Sequence, residues 1–473
     1  MTLDRTVRPL PLALLLLVLA LAACTTPPAA APDTPAMPAA FRYAAPAPTA
    51  PAATEAWWQA FQDPLLDQLE TRAAGGNTSL QTATARLARA RALVHNAEAA
   101  RAPQIGYRAG AGRQGGPIVN AAGGQGTLLS ALADFSWEAD LFGRLQEGVN
   151  AANLDAQSQE ALLRDARLLV QANVAQTYFE LRALDAERAL VDAAAQDWRD
   201  TVKITGERLR TGSVAELEFV RAKAELAAVE NDSQALQRRR AQLENALALL
   251  VGVPASSFEV PPEQFRAALP AIPAGVPATV LTRRPDIAAA QRAVEAAQTR
   301  AGLARTAWFP SLTLTATGGS ASVELGQLVQ AASRAWSIAG LVSGIVFDGG
   351  RREAGILQAD ADVEAAAAGY REQILTALRE VEDQLAAVQL LAAQSQTAST
   401  AVDLGRRATV LAESRYRSGL ASQLDVLDAR RTELRNERDA LQVRSAQYQA
   451  AVRLIRALGG GWELQEIREI SRH

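Results

Sequence analysis

The sequence predicts an α+β membrane protein, internally duplicated, in which each chain supplies long antiparallel helices and four β-strands. Three observations carry this reading. The runs Arg144 to Arg210 and Arg351 to Arg417 contain no proline and read as single helices. At ~1.5 Å rise per residue each spans about 100 Å, far beyond the ~11-residue helix of an ordinary globular core. Separate landmarks recur at one offset, and short stretches between the helices alternate apolar and polar residues.

The chain opens on an address. Arg5 and Arg8 precede an apolar run from Leu10 to Ala20 that is too short to span a bilayer, so residues 1–23 read as a cleaved secretory signal. It ends Leu21-Ala22-Ala23-Cys24, which resembles the lipobox of bacterial lipoproteins. Cys24 is the only cysteine, which makes it the expected lipidation site and excludes an intrachain disulfide. Residues 24–54 are rich in proline and alanine and read as a lipidated tether.

Two repeats follow, residues 55–262 and 263–462, with a short tail at 463–473. Leu80 and Ile287, Pro103 and Pro310, Gly143-Arg144 and Gly350-Arg351, and Arg208-x-Arg210-x-Gly212 and Arg415-x-Arg417-x-Gly419 are each 207 residues apart. One ungapped shift that satisfies all four marks a duplication. Each repeat runs in the same order: a helix (Asn77 to Arg101; Arg284 to Thr306), a strand pair (about 103–142; 310–348), the long helix, a glycine turn, and a returning helix (Val214 to Val251; Ala421 to Leu458). In the first long helix Leu154, Leu162, Leu163, Val170, Val174, Tyr178, Leu181, Leu184, Ala189 and Leu190 recur at helical spacing, as in a packed wall. Arginines in its last turn and the following glycine are stop signals, and Ser213-x-x-Glu216 and Ser422-x-x-Asp425 predict a capping box at the start of each returning helix.

The strands carry the membrane signal. Leu129, Ala131, Ala133, Phe135, Trp137 and Ala139 alternate with Ser130, Asp134, Ser136, Glu138 and Asp140. Leu312, Leu314 and Ala316 alternate with Ser311, Thr313, Thr315 and Thr317, Ile105 and Tyr107 flank Arg108 more weakly, and Trp336 to Phe347 is mixed. One apolar and one polar face is the dyad pattern of a transmembrane barrel. Tyr107, Trp137, Trp308 and Phe309 sit near strand ends, either as an interfacial belt or as packing at the helix junction. Four strands cannot close in lipid, so copies of the chain must complete the barrel, with two, three or four all giving an even strand number.

Composition narrows the alternatives. A net charge of −3 implies no nucleic-acid surface, and basic charge is almost all arginine, Lys203 and Lys223 being the only lysines. His95 and His473 are far apart, and no metal cluster or phosphate loop is visible, so neither an enzyme nor a cofactor is expected beyond covalent lipid on Cys24.

Five motifs in order resemble the TolC-type outer-membrane factors: Trp57-Trp58-Gln59-Ala60-Phe61-Gln62-Asp63-Pro64, Arg284-Pro285-Asp286-Ile287, Trp308-Phe309-Pro310-Ser311-Leu312-Thr313-Leu314, Phe347-Asp348-Gly349-Gly350-Arg351 and Leu458-Gly459-Gly460-Gly461-Trp462. The lipobox and the last motif resemble the NodT lipoprotein branch. The resemblance implies a trimer with a 12-strand outer-membrane barrel, a long periplasmic α-barrel, and a belt formed by residues near Trp57 to Leu69, Val253 to Pro277 and after Gly459. It implies a passive exit duct that works with a periplasmic adaptor and an inner-membrane pump of the RND type. Asp425 and Asp428 match the gate that pinches the periplasmic end, while Tyr416 and Glu218 match its lock, where Ala421 replaces the lock's arginine. Arg208, Arg210, Gly212, Arg415, Arg417 and Gly419 would form the tips that meet the adaptor, or serve only as helix caps. A coiled-coil lipoprotein that merely spans the periplasm, or a duct for protein secretion, are the competing readings.

Overall fold

The computed structural model describes residues 36–44, 56–115, 125–263, 265, 267–272 and 277–460. The signal, Cys24 and the tail at 463–473 lie outside them. The chain divides into two compact units: the described residues that fall within 91–155 and 292–369 belong to one, and those within 36–90, 156–291 and 370–460 to the other.

The first unit holds the strands. β1 (Gln104–Gly115), β2 (Gln125–Ala139), β3 (Ser311–Ser322) and β4 (Arg334–Ser343) form one antiparallel sheet in the order β1-β2-β3-β4. An unbroken register pairs Tyr107 with Ala133, Ala133 with Gly318, and Gly318 with Trp336. Because side chains alternate with period two, this register fixes two faces. One carries Ile105, Tyr107, Phe135, Trp137, Leu312, Leu314, Ile338 and Val342. The other carries Arg108, Asp134, Ser136, Glu138, Thr313, Thr315 and Thr317, with Arg108 and Asp134 paired at 3.3 Å. Strand β4 escapes a periodicity reading because Leu341 and Ala339 put apolar groups on the polar face too. Among the described residues both outer strands leave an edge without a partner, and Ile105, Tyr107, Trp336 and Ile338 are 77–93% exposed.

Both long helices run as read, α3 (Arg144–Arg210) and α7 (Arg351–Arg417), 67 residues each. The shorter ones are α1 (Pro64–Gly76), α2 (Thr78–Ala99), α4 (Glu216–Val251), α5 (Pro277–Arg283), α6 (Pro285–Thr306) and α8 (Gln423–Ala457). Among the described residues no helix is long and apolar enough to cross a membrane. Helices α1 and α5 are additions to the order read from the sequence. Asp63 caps α1, accepting from the Leu65 and Leu66 amides, with Pro64 at the first position.

The core of the second unit is an aromatic cluster of Trp57, Phe61, Tyr178, Phe179, Phe265 and Tyr448, mostly edge-on or tilted at centroid separations from 4.5 Å. The loop after α4 is strapped to α3 and α4 by arginines. Arg182 donates to the Pro261 carbonyl at 2.8 Å and to Asp185, and Arg240 donates to Asp185 and the Val260 carbonyl. Tyr178 donates to Asp63 at 2.6 Å and accepts from Arg182. Burial and the Asp63 carboxylate raise the Tyr178 pKa, so this phenol remains a donor.

Residues 36–44 correct the tether reading in part. Phe41 is buried, and the Arg42 amide donates to Glu382 at 2.9 Å, so the described stretch of that segment is docked.

The duplication reaches single contacts. The Asn77 amide donates to the Leu250 carbonyl, and 207 residues on, at 284 and 457, Arg284 donates to the Ala457 carbonyl. Each contact satisfies a last-turn carbonyl that the helix leaves open. Arg199 pairs with Glu230 at 3.0 Å and Arg406 with Glu437 at 2.6 Å, again 207 residues apart at both ends.

Candidate functional site

The two hairpin tips, α3 into α4 and α7 into α8, close in the same way. The Ser213 amide reaches the Arg208 carbonyl at 2.8 Å and the Gly212 amide the Leu209 carbonyl, while Leu420 and Gly419 bond to Arg415 and Tyr416 in the same pattern. Gly212 and Gly419 both sit at φ +73° with open space around them, so left-handed backbone and not crowding demands glycine.

The returning helices start differently. Ser422 and Asp425 form the predicted capping box, with Asp425 accepting from the Ser422 amide and hydroxyl at 2.8 Å. Those hydrogen bonds hold the Asp425 carboxyl below its ordinary range. The first hairpin corrects the expectation: helix α4 is capped at Ala215 with no side-chain bond, and the Ser213 hydroxyl turns to Thr211 instead. Ser213 lies too early, because the turn places the cap at Ala215 where no oxygen is available.

Asp428, one turn past Asp425, is exposed and makes no ion pair among the described residues. Among the described residues of one chain, the Tyr416 hydroxyl is bonded to Arg208 and not to Glu218. It accepts from Arg208 Nη1 at 2.9 Å, and the guanidinium lies 6.0 Å from the ring centroid. The arginine that reaches Tyr416 comes from the first hairpin, while position 421 is alanine. Of the remaining tip residues, Arg210 pairs with Glu207, and Arg417 donates to the Glu413 carbonyl.

Sequence reasoning missed the ties farther along the hairpins. Arg430 binds Glu413 at 2.7 Å and reaches Thr201, Arg431 binds Glu225 at 2.8 Å, and Arg438 bridges Glu187 and Asp232, both at 2.8 Å. The available signal was the four arginines of α8 between 430 and 438. These contacts hold α8 against α3 and α4. Among the described residues no His/Cys/Asp/Glu group could hold a metal.

Comparison with known proteins places this arrangement. The outer membrane efflux protein family matches residues 69–253 and again 276–460, two stretches whose starts and ends are both 207 residues apart. The pyoverdine export outer membrane protein OpmQ of Pseudomonas putida is 31% identical over 476 residues, covering 98% of this chain and 99% of its own. The toluene efflux pump outer membrane protein TtgI of the same species is 33% identical over 415 residues, covering 86% and 87%. The solved outer-membrane channel OprN superposes with a TM-score of 0.85 at 30% identity, over 93% of this chain and 99% of that one. With both repeats matched and relatives similar along nearly their whole length, this chain belongs to the outer membrane efflux protein family.

Proposed function

We infer that the protein is a trimeric exit duct of a tripartite efflux system, anchored by lipid on Cys24 and docked through its hairpin tips to a periplasmic adaptor and an inner-membrane pump. The open four-stranded sheet carries this reading: its two edges and exposed apolar face are satisfied in lipid only when further copies continue the ring. Three copies give the 12 strands the family resemblance implies. Related ducts are named for pyoverdine and for toluene, unlike molecules, which supports a passive conduit whose partner pump supplies both energy and choice of cargo.

Asp428 of each copy, with Asp425 one turn before it, would ring the periplasmic mouth. The contact of Arg208 with Tyr416 would hold the second hairpin against the first while the mouth is closed. Asp425 also caps a helix, so Asp428 is the cleaner test. Purified trimer in a planar bilayer should show low resting conductance that rises several-fold in Asp428→Ala and in Arg208→Ala. Unchanged conductance in both would refute the gate while leaving the duct, and absence of channels in the parent protein would refute the duct.

A further inference from the structure

We propose that Arg113 and Arg334 bind the phosphorylated headgroups of the glycolipid that forms the outer leaflet of a bacterial outer membrane. The proposal rests on the barrel reading above. Three arginines lie on the described strands. Arg108 occupies the polar face and is paired to Asp134. The other two share the apolar face, as the register requires, since Arg113 is six residues from Tyr107 and Arg334 two from Trp336. Both are exposed, and neither holds an ion pair among the described residues.

Their spacing repeats on opposite edges of the sheet. Counted from the end joined to the helices, the apolar face of β1 reads Ile105, Tyr107, Ala109, Ala111, Arg113, and that of β4 reads Val342, Gly340, Ile338, Trp336, Arg334. In both, four outward positions without charge precede an arginine at the fifth. At ~3.3 Å per residue the arginine stands about 26 Å along the strand, which a tilt of about 40° turns into roughly 20 Å of height, near the upper edge of a barrel's apolar band of about 25 Å. On the side away from the helices that level is the outer leaflet, whose glycolipid carries phosphate. The described strands place no acid on this face, and the carboxylate of Glu324, in the adjoining loop, accepts from Gln327. An unpaired guanidinium at the rim of hydrocarbon lacks an anion, and phosphate matches its fork of donors. Beside Arg334, the indole of Trp336 suits the same interfacial depth. In a closed ring β4 of one copy meets β1 of the next, so each seam would be bracketed by both arginines.

Native mass spectrometry of detergent-purified trimer, titrated with bis-phosphorylated lipid A or with its dephosphorylated form, tests this. The parent protein should retain the phosphorylated lipid about tenfold better than the dephosphorylated one, and R113Q/R334Q should lose that preference while R108Q keeps it. Equal retention by parent and double variant overturns the proposal, as does full displacement by inorganic phosphate at equal concentration, which would mark a plain anion patch. Failure of the parent trimer to insert into vesicles would overturn the barrel reading itself, a distinguishable result.

Discussion

Asn77 and Arg284 occupy the same joint in the two repeats and solve the same problem with different chemistry. Each reaches the open carbonyl of the returning helix, Leu250 in one case and Ala457 in the other. Asn77 does so as a neutral amide whose oxygen also caps α2 through the Ser79 and Leu80 amides. Arg284 is 5% exposed and brings a charge, balanced by Asp286 at 2.6 Å and Glu380 at 2.8 Å, with Gln373 on the same aspartate. Burial raises the Asp286 pKa, but the Arg284, Ile287 and Gln373 hydrogen bonds and the Arg284 charge outweigh it, so the carboxyl titrates below its ordinary range. Close by, burial and the neighbouring carboxylates push Asp165 up. Geometry has outlasted chemistry at this joint. A last-turn carbonyl must be met, whereas the donor that meets it is free to change.

The hairpins differ in the same manner. Trp198 and Val229 pack in the apolar seam of the first, with Leu184, Val191 and Leu236. Their repeat mates are Gly405 and Asn436, where a Cβ on the glycine would lie 3.0 Å from the asparagine Nδ2, which donates to the Ala401 carbonyl. The first hairpin is held by apolar volume and the second by close backbone approach and a hydrogen bond. Leu427 of α8 joins the same apolar cluster, so the two hairpins are packed together while differing in what fills each seam.

The joint yields the largest expected effect. Arg284→Ala strands two carboxylates in a mostly buried site and should cost about 3 kcal/mol or more, whereas Asn77→Ala, which leaves no charge behind, should cost about 1 kcal/mol. Denaturant unfolding of matched trimers checks both. Equal losses would show that the charges around Arg284 add nothing beyond what the carbonyl bond and the α2 cap supply at Asn77.

A second asymmetry lies in α1. Glu70 is 2% exposed, neither of its carboxylate oxygens has a partner among the described residues, and its counterpart in the second repeat is Pro277. Burial first, and the charge of Asp67 second, push its pKa from 4.5 up to about 9. The folded state therefore holds a proton that the unfolded chain releases above pH 4.5, so this group's contribution to stability is full below pH 4.5 and declines as pH rises toward about 9. Glu70→Gln, which keeps the side chain neutral at every pH, should flatten that decline and stabilise the protein by about 2 kcal/mol at pH 8, since each tenfold change in proton affinity is worth ~1.4 kcal/mol and the site relaxes in part around the charge. A parallel pH slope in parent and variant would show that the acid reaches solvent.

Sequence periodicity reached the long helices, the 207-residue duplication and three strands because each involves a pattern longer than any local exception. It missed β4, whose face assignment exists only through its register with β3, and it missed Arg208 on Tyr416, a contact between residues 208 apart. The joint was within reach. Sliding polar residues, and not only prolines and glycines, by the same offset sets Asn77 on Arg284, but two such different side chains do not resemble each other until the carbonyl they share is seen.

The smallest predicted effect separates the two tips. Ser422→Ala removes the hydroxyl that accepts the Asp425 amide and should cost about 1 kcal/mol of helix-end stability, read as faster amide exchange over the first turn of α8. Ser213→Ala should leave exchange at the start of α4 unchanged, since Ala215 already caps that helix without a side chain. The pair isolates what Asp425 does. If conductance rises with Ser422→Ala alongside the faster exchange, the capping box positions the gate carboxylates through the helix start. If exchange quickens while conductance stays low, the box serves the fold, and Asp428 alone remains to close the mouth.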